Sequence, residues 1–249
     1  QTPPTRVSFQ KISLVVPLLN EEESILPLIN EIRKAIKPLN KPYEVIFVDD
    51  GSNDSTFSKI EALSLKDPRI KCISLSRNFG HQNALMAGIQ HCNADFIILM
   101  DGDGQHPASL IPQLLQKLKE GYDLVHTKRK TTQNIGTGKK LLSAIFYRFI
   151  NFISDTRIEP NVADFKAFNR KVLESILQFK ERELFLRGIF SWIGFNTSTI
   201  DFDAPARIHG KTKYSFTRML ALALKGTTSF SFKPLRVALF IGSIISLLA

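Results

Sequence analysis

The sequence lacks the features that mark several common structural classes. Its only cysteines are Cys72 and Cys92, and no CxxC pair occurs, so a disulfide framework or a thiolate zinc site is not expected. The G-x-G-x-x-G fingerprint and the G-x-x-x-x-G-K-[ST] phosphate loop are both absent, which argues against a dinucleotide-binding Rossmann enzyme and a P-loop NTPase. Residues 1–6 have no apolar core, so a signal peptide is not expected in this segment.

Acidic residues are scarcer than basic ones, 23 against 33, which gives a formal net charge of +10. Such an excess suggests a polyanionic partner: nucleic acid, an anionic membrane surface or a phosphorylated substrate. The hydrophobic fraction of 43% and the charged fraction of 22% are those of a globular protein. A chain of 249 residues can form one large α/β domain, with or without an appendage.

The first half of the chain alternates between strand and helix patterns, which predicts an α/β fold with a parallel sheet. Strands are predicted at 12–16, 43–48, 70–75, 96–100 and 123–127. Helices are predicted at 21–36, with an acidic first turn, and at 54–65, 80–90 and 107–119.

The second half is more irregular. Residues 128–140 are basic and contain glycine, which predicts a loop, and an amphipathic helix over 140–153 fits either the core or a membrane interface. A shorter α+β stretch includes 172–177, 184–192 and 197–202, and a helix is predicted over 214–230. The apolar run 235–249 predicts the start of a transmembrane helix that is truncated at residue 249; the alternative is a buried terminal helix.

The strongest chemical signal is Asp101-Gly102-Asp103, which follows the apolar run 96–100. Ligands of open α/β sheets bind at the carboxyl ends of the strands. Two carboxylates on a turn that contains glycine offer hard oxygen ligands to Mg²⁺ or Mn²⁺ beside a diphosphate. We do not expect His81, His106 or His209 to be metal ligands, because none pairs at ligand spacing, and His106 is predicted to be a turn residue.

A second acidic segment, Val48–Asp54, follows another predicted strand. Carboxylates there can accept hydrogen bonds from a ribose or a base. The alternative is an ordinary strand-to-helix turn in which Asp54 or Ser52 caps the next helix.

Together with the segment 16–23 at the end of the first strand, these segments resemble the family 2 glycosyltransferases of the GT-A fold, which are Rossmann-like nucleotide-diphospho-sugar transferases. Further segments narrow the resemblance to the polyprenyl-phosphate glycosyltransferases, such as dolichyl-phosphate mannose synthase and its bacterial undecaprenyl-phosphate relatives. These segments are VADFKAFNR at 162–170, FLRG and SWIGF within 185–195, RIHGKTKY at 207–214, and TSFS and PLR within 228–236. The resemblance spans about residues 11–240. This chain has Gly102 and Gly104 where many relatives carry Ala and Leu, a difference that leaves both carboxylates intact.

The resemblance implies a role for each matching residue. The nucleoside of the donor would be surrounded by Pro17, Leu19, Glu21 and Asp50. The metal, Mg²⁺ or Mn²⁺, and the donor diphosphate would be held by Asp101, Asp103 and Gln105. The donor phosphates would be clamped by Arg207 and Lys213, and Asp164 is the implied base. The acceptor phosphate would be bound by Arg129, Lys139 and Ser143.

The resemblance also implies a domain organisation and a location. It divides the chain into a tail at 1–10, a GT-A catalytic domain at 11–213, an amphipathic juxtamembrane helix at 214–232 and the start of a transmembrane helix at 233–249. The implied partners are a nucleotide-sugar donor, a polyprenyl phosphate acceptor and the inner face of the cell membrane, with the catalytic domain in the cytoplasm. Relatives of this kind suggest membrane-associated homo-oligomers.

Three other functions fit parts of the sequence. A nucleic-acid-binding module would explain the positive charge but not the acidic strand ends, which would repel phosphates. A silent scaffold would not need the complete set of carboxylates and cations. A polysaccharide-extending transferase of the same fold usually carries a QxxRW-type box, and this sequence has none. The sugar and the nucleotide stay open, with UDP-glucose expected ahead of GDP-mannose.

Overall fold

The structure, a computed structural model, describes residues 11–130, 162–179, 186–203 and 233–248. The chain divides into two compact units. The first contains residues 1–130, 162–184 and 195–210, and the second contains 131–161, 185–194 and 211–249.

The described strands of the first unit form one seven-stranded sheet in the order β3-β2-β1-β4-β6-β5-β7. The strands are β1 Ile12–Leu18, β2 Tyr43–Asp49, β3 Ile70–Ser74, β4 Phe96–Leu99, β5 Leu124–Arg129, β6 Val162–Asn169 and β7 Thr197–Phe202. Every residue of β1 and β4 is buried. Continuous apolar runs of this kind form where helices cover both faces of a sheet, as the sequence pattern predicted.

The described helices of the first unit are α1 Ile25–Ile36, α2 Thr56–Ser64, α3 His81–Gln90, α4 Ile111–Lys119 and α5 Arg170–Ile176. Short 3-10 turns follow α1 at Lys37–Leu39 and precede α4 at Ala108–Leu110. A cluster of buried apolar side chains joins α1 and α4 to one face of the sheet. The predicted helices and strands of the first half are therefore confirmed, with ends that differ by a few residues.

The start of α1 differs from the prediction. The helix begins at Ile25 after Ser24, and it has no acidic residue in its first turn. Glu21, Glu22 and Glu23 lie in the preceding turn instead. They remain outside the helix because Asn20 adopts a left-handed conformation (φ 54°) that redirects the chain after β1.

The sheet is mixed, not parallel throughout as the first half of the sequence predicted. Strand β6 lies between β4 and β5 and runs antiparallel to both, whereas β5 is parallel to β7. The prediction failed because β6 comes from residues 162–169, outside the alternating βα pattern. Since β6 is reversed, its first residues lie at the edge of the sheet where the neighbouring strands end.

Helix α3 lies close against the sheet because Gly88 has no side chain. A Cβ atom added to Gly88 would be 2.3 Å from Val15 Cγ1 and 3.0 Å from Val48 Cγ2. Real Cβ atoms do not approach other atoms this closely, so a larger residue would push the helix away from β1 and β2. The carboxyl-terminal half of α3 is thereby held against these strands.

The described parts of the second unit are helices α6 Leu186–Trp192 and α7 Lys233–Leu248. Helix α7 is rich in apolar residues, and several of them, including Leu239, Phe240 and Ile245, are exposed. Within the ranges that the structure describes, no helix has the combined length and apolarity of a membrane span. The predicted helices at 140–153 and 214–230 lie outside the described residues.

A buried carboxylate, Glu44, joins the amino-terminal ends of neighbouring strands. Its side chain is 4% exposed and accepts hydrogen bonds from Lys11 Nζ at 2.7 Å and from Ser13 Oγ, and Lys71 Nζ lies 2.8 Å away. Burial opposes ionisation of Glu44, but the two lysines and Ser13 outweigh it and lower its pKa from 4.5 to about 2.

Because the pKa of Glu44 is lower in the folded than in the unfolded chain, its contribution to stability is complete above about pH 4.5 and is lost as the pH falls toward 2. We expect Glu44→Gln to reduce the free energy of unfolding at pH 7 by about 1–3 kcal/mol, a range that allows for the solvent access of both lysines. Urea unfolding between pH 7 and pH 3 measures this difference, which should narrow below pH 4.5.

The control is Glu120→Gln, which removes an exposed partner of Lys117. It should leave unfolding unchanged at every pH. A Glu44→Gln defect that stays constant from pH 7 to pH 3 would contradict the ionic origin of the stabilisation.

Candidate active site

The acidic residues predicted at the strand ends lie on one edge of the sheet. Asp50 follows β2, Asp101 follows β4, and Asp164 is the third residue of the reversed strand β6. In the β4–β6 pairing, Leu99 is opposite Lys166 and Ile98 is opposite Ala167. Continuing this register by two residues brings Asp101 opposite Asp164, although 63 residues separate them in the sequence.

His81, the first residue of α3, lies between these two carboxylates. Its Nε2 atom is 3.3 Å from Asp101 Oδ1 and 3.4 Å from Asp164 Oδ2. The side chain of Asp164 is 7% exposed and that of Asp101 is 25% exposed, whereas that of His81 is 40% exposed. The imidazole therefore approaches both acids from the solvent side of the site.

The turn after β4 is held by His106, which the sequence predicted only as a turn residue. His106 is buried, and its Nδ1 accepts a hydrogen bond of 3.0 Å from the Asp101 backbone N–H. The ring stacks on Phe165 of β6 with centroids 5.2 Å apart. Burial lowers the pKa of His106, partly against the attraction of Asp101, so the ring is neutral at pH 7 with its proton on Nε2. Nε2 lies 3.5 Å from Asp101 Oδ2.

Glycine is required at two positions of this turn, for a different structural reason at each. Gly104 has a positive φ of 73°, which glycine adopts without strain. A Cβ added to Gly102 would be 2.1 Å from Leu18 Cδ2, so the side chain of Leu18 fills the space that a larger residue would need. The Asp103 side chain also closes the turn, because its Oδ1 accepts the Gln105 N–H at 3.0 Å.

Asp50 organises the loop that leads into α3. Its carboxylate accepts hydrogen bonds from the backbone N–H groups of Phe79 at 2.7 Å and Gly80 at 3.0 Å. Its own N–H donates to Leu18 O at 2.9 Å. Carboxylate oxygens have further lone pairs, so contact with a nucleoside stays a prediction for Asp50.

The cap of α2 also differs from the prediction. Ser55, not Asp54 or Ser52, occupies the cap position. Asp54 instead accepts the Thr56 N–H at 2.9 Å and the Glu22 N–H at 3.4 Å. Burial works against its ionisation, but the hydrogen bonds from Thr56 and Glu22 lower its pKa. The turn after β1 is thus tied to the start of α2.

A cleft of about 220 Å³ lies beside the turn after β1 and reaches Asp103 and Gly104. Its lining is strongly acidic, with carboxylates from Glu21, Glu22, Glu23, Glu31, Asp54 and Asp103. A concentration of negative charge in a chain of net charge +10 attracts cations and opposes a bare phosphate backbone at this cleft.

The residues at the β4 turn fit a divalent cation that shares its ligands with a phosphorylated substrate. Asp101 Oδ1 is buried and accepts no hydrogen bond from the described residues, although His81 lies nearby. In the part of the chain that the structure describes, no cluster of three or more His, Cys, Asp or Glu residues is arranged to hold a metal alone. Mg²⁺ commonly takes one or two carboxylates and completes its shell with substrate phosphates and water.

The remaining predicted residues are distributed as follows. Pro17 is a buried residue of β1, and Leu19 and Glu21 follow this strand. Arg129 is the last residue of β5, and its charge helps to lower the pKa of His106. Lys139, Ser143, Arg207 and Lys213 lie outside the described residues, so their roles stay predictions.

Sequence reasoning missed the contribution of His81 and the burial of His106. Their position at the site follows from tertiary packing, because no spacing rule links either histidine to the acids that it contacts. The only local signal was the position of both histidines immediately after glycine-containing turns.

The family whose sequence model matches is described as Glycosyl transferase family 2, and the match covers residues 13–177. The bactoprenol glucosyl transferase of Shigella phage SfX is 42% identical over 238 residues, which cover 95% of this chain and 77% of the relative.

Solved structures show the same GT-A-like α/β fold. A mannosyltransferase from Pyrobaculum calidifontis in complex with GDP-Man and Mn²⁺ is similar with a TM-score of 0.58 at 18% identity, over 93% of this chain and 69% of that one. A glucosyl-3-phosphoglycerate synthase from Mycobacterium tuberculosis in complex with Mn²⁺, UDP-glucose and phosphoglyceric acid gives 0.55 at 20% identity, over 88% and 80%.

A substitution at Gly51 can show how closely the loop before α3 packs on the turn after β2. Its φ is +69°, and an added Cβ would lie 2.5 Å from the backbone carbon of Arg77. We expect Gly51→Ala to cost about 1–3 kcal/mol of stability and to accelerate tryptic cleavage after Arg77, because the loop must move away from Asp50. Thermal unfolding and limited proteolysis measure the two effects.

Gly121→Ala is the matched control, since Gly121 also has a positive φ (+102°) but an added Cβ meets nothing within 4 Å. It should destabilise through backbone strain without changing cleavage after Arg77. Equal proteolysis of the two variants would contradict the proposed contact.

Proposed function

Because the chain belongs to glycosyl transferase family 2, we propose that this glycosyltransferase moves glucose or a related hexose from a nucleotide-sugar, UDP-glucose first, onto undecaprenyl phosphate. The observation that carries the proposal is the convergence of Asp101 and Asp103, at the end of β4, with Asp164 of the reversed strand β6. In the proposed reaction, Asp101 and Asp103 would lie on the side of the donor diphosphate, and Asp164 would lie nearer the side from which an acceptor attacks.

The lipid acceptor is supported by the name of the phage relative, a bactoprenol glucosyl transferase, and by two properties of this chain. The net charge of +10 favours an anionic membrane surface and a phosphorylated lipid. The exposed apolar side chains of α7, such as Leu239, Phe240 and Ile245, are suited to contact with lipid. The proposal therefore includes the cytoplasmic face of the cell membrane, with residues 214–249 at that membrane.

In the proposed reaction, the acceptor phosphate oxygen attacks the anomeric carbon in line with the departing nucleoside diphosphate, and the configuration inverts. A bound Mg²⁺ or Mn²⁺, held by Asp101, Asp103 and Gln105, would neutralise the charge that develops on the diphosphate. Pro17, Leu19, Glu21 and Asp50 would surround the nucleoside.

The remaining polar residues are proposed to bind phosphates. Arg207 and Lys213 would clamp the donor phosphates, and Arg129, Lys139 and Ser143 would bind the acceptor phosphate. Guanidinium and ammonium groups form charge-assisted hydrogen bonds to phosphate oxygens. Their positive charge would also offset the repulsion between the acidic site and an anionic acceptor.

Asp164 is proposed to orient the sugar or stabilise positive charge on it, and not to act as a base. A phosphate monoester has a second pKa of about 6 and is largely dianionic at neutral pH, so the attacking oxygen carries no proton to remove. Asp164 lies close to Asp101, with His81 in contact with both. This position beside the proposed donor-binding carboxylate is consistent with a residue that would face the reacting sugar.

The second candidate function is mannosyl transfer from GDP-mannose to a dolichyl-type phosphate. It is favoured by the fold shared with the Pyrobaculum mannosyltransferase that was solved with GDP-Man. Both candidates predict labelled lipid, and the donor that supplies the label distinguishes them. A transferase of the same fold with a non-lipid acceptor is the remaining alternative.

The first prediction is transfer of label into the lipid phase. The full chain in liposomes with undecaprenyl phosphate and Mn²⁺ should transfer label from UDP-[¹⁴C]glucose, and Asp103→Asn should reduce turnover to near background, a loss of about 10³-fold or more. Scintillation counting after solvent extraction measures both, with EDTA as a further control.

A panel of GDP-mannose, UDP-N-acetylglucosamine and UDP-glucose in the same assay identifies the sugar. Absence of lipid label from every donor, while nucleotide binding persists, would contradict the lipid acceptor. Label that survives EDTA and Asp103→Asn would contradict the proposed metal site.

A second prediction concerns Asp164. We expect Asp164→Asn to reduce kcat by about 100-fold and by the same factor from pH 6 to pH 9, because its proposed role does not require proton removal. A defect that shrinks as the pH rises would instead assign Asp164 as a base for the protonated acceptor. Profiles of kcat against pH for the wild type and the variant measure this.

A further inference from the structure

We infer that His81 is a positioning residue that joins the donor-side carboxylate Asp101 to Asp164 and sets the orientation of Asp164. The inference rests on the proposed transferase function and adds a residue to that site. It is carried by the location of one imidazole nitrogen within 3.4 Å of carboxylate oxygens from two different strands.

Asp101 and Asp164 approach each other because the register of β4 and β6 brings them to the same edge of the sheet. Two carboxylates in a partly buried site repel each other. An N–H group beside both of them reduces that repulsion, even though Asp101 Oδ1 accepts no hydrogen bond within the described residues. The Nε2 atom of His81 occupies that position, 3.3 Å from Asp101 Oδ1 and 3.4 Å from Asp164 Oδ2.

The backbone position of His81 is set by the packing of α3. The backbone of Gly80, the residue before it, donates to Asp50 Oδ2 at 3.0 Å. At the other end of the same helix, Gly88 allows α3 to lie against Val15 and Val48. A helix held at both ends places the backbone of its first residue at one position, from which the imidazole reaches both acids.

The start of helix α3 connects the ends of β2, β4 and β6. Asp50 after β2 holds the start of α3, and His81 then contacts the acids of β4 and β6. If the Asp101 carboxylate binds a metal with the donor, His81 retains its contact with Asp164. Its effect on the reaction is therefore expected to pass through Asp164.

The test compares His81→Ala, His81→Gln and His91→Ala in the full chain. His81→Ala should reduce kcat by about 10- to 100-fold, because a displacement of about 1 Å in a reacting group has an effect of this size, while the KM for the donor and the Tm stay near wild type. His81→Gln keeps an N–H donor at similar reach and should recover most of kcat. His91, which is exposed at the other end of α3 and contacts Ala87 O, is the control that should change nothing.

A double-mutant cycle separates positioning from a general structural role. If His81 acts through Asp164, adding His81→Ala to Asp164→Asn should cause no further loss of kcat. The inference would be overturned if the kcat losses of the two single variants multiplied in the double variant, or if the kcat loss of His81→Ala accompanied a fall in Tm. Wild-type kcat in His81→Ala would overturn it as well.

A measurement without turnover keeps this inference separate from the proposed function. In protein labelled with ¹⁵N in the histidine rings, at constant pH and without substrate, Asp164→Asn should shift the ring signals of His81 and leave those of His91 in place. Unchanged His81 signals would overturn the inference even if lipid is labelled. Shifted signals in a protein that labels no lipid would support the contact while the proposed function fails.

Discussion

The antiparallel pairing of β6 with β4 is the constraint on which the candidate site depends. Six of the described strands run in one direction, and β6 alone is reversed. Its early residues therefore lie beside the carboxyl ends of the other strands. Leu99 pairs with Lys166, and this register makes Asp164 the neighbour of Asp101. A shift of the β6 register by one residue would turn Asp164 toward the opposite face of the sheet. The same shift would remove the stacking of Phe165 on His106.

Several interactions serve both the stability of the fold and the geometry of the site. His106 supports the Asp101 turn from the apolar core, and burial keeps its ring neutral so that Nδ1 can accept the Asp101 N–H. Asp50 accepts two backbone hydrogen bonds that begin α3. The close approach of Gly88 to Val15 fixes the same helix. On the β2–β4 side of the site, the loops are therefore connected to buried residues by hydrogen bonds.

The charge of the cleft and the net charge of the chain have opposite signs, and each bears on a different part of the proposed function. The described cleft is lined by six acidic side chains, while the chain as a whole carries a charge of +10. An acidic site binds a phosphorylated donor only with counter-charge, which a divalent cation and basic side chains can supply. The net positive charge of the chain can favour an anionic surface. One net charge value would therefore mislead about the chemistry inside the cleft.

The sequence by itself determined the α/β class, most strands and helices of the first half, and the acids at the strand ends. Apolar runs and turn residues are local signals, and the Asp101-Gly102-Asp103 spacing is a local motif. Only the tertiary structure decided that β6 is reversed, that Glu21–Glu23 precede α1 and line the cleft, and that His81 lies between Asp101 and Asp164. The reversal of β6 and the position of His81 depend on strand register and on the packing of segments that are distant in the sequence. The turn at Glu21–Glu23 depends on the left-handed conformation of Asn20. Hydrophobic periodicity encodes none of these features.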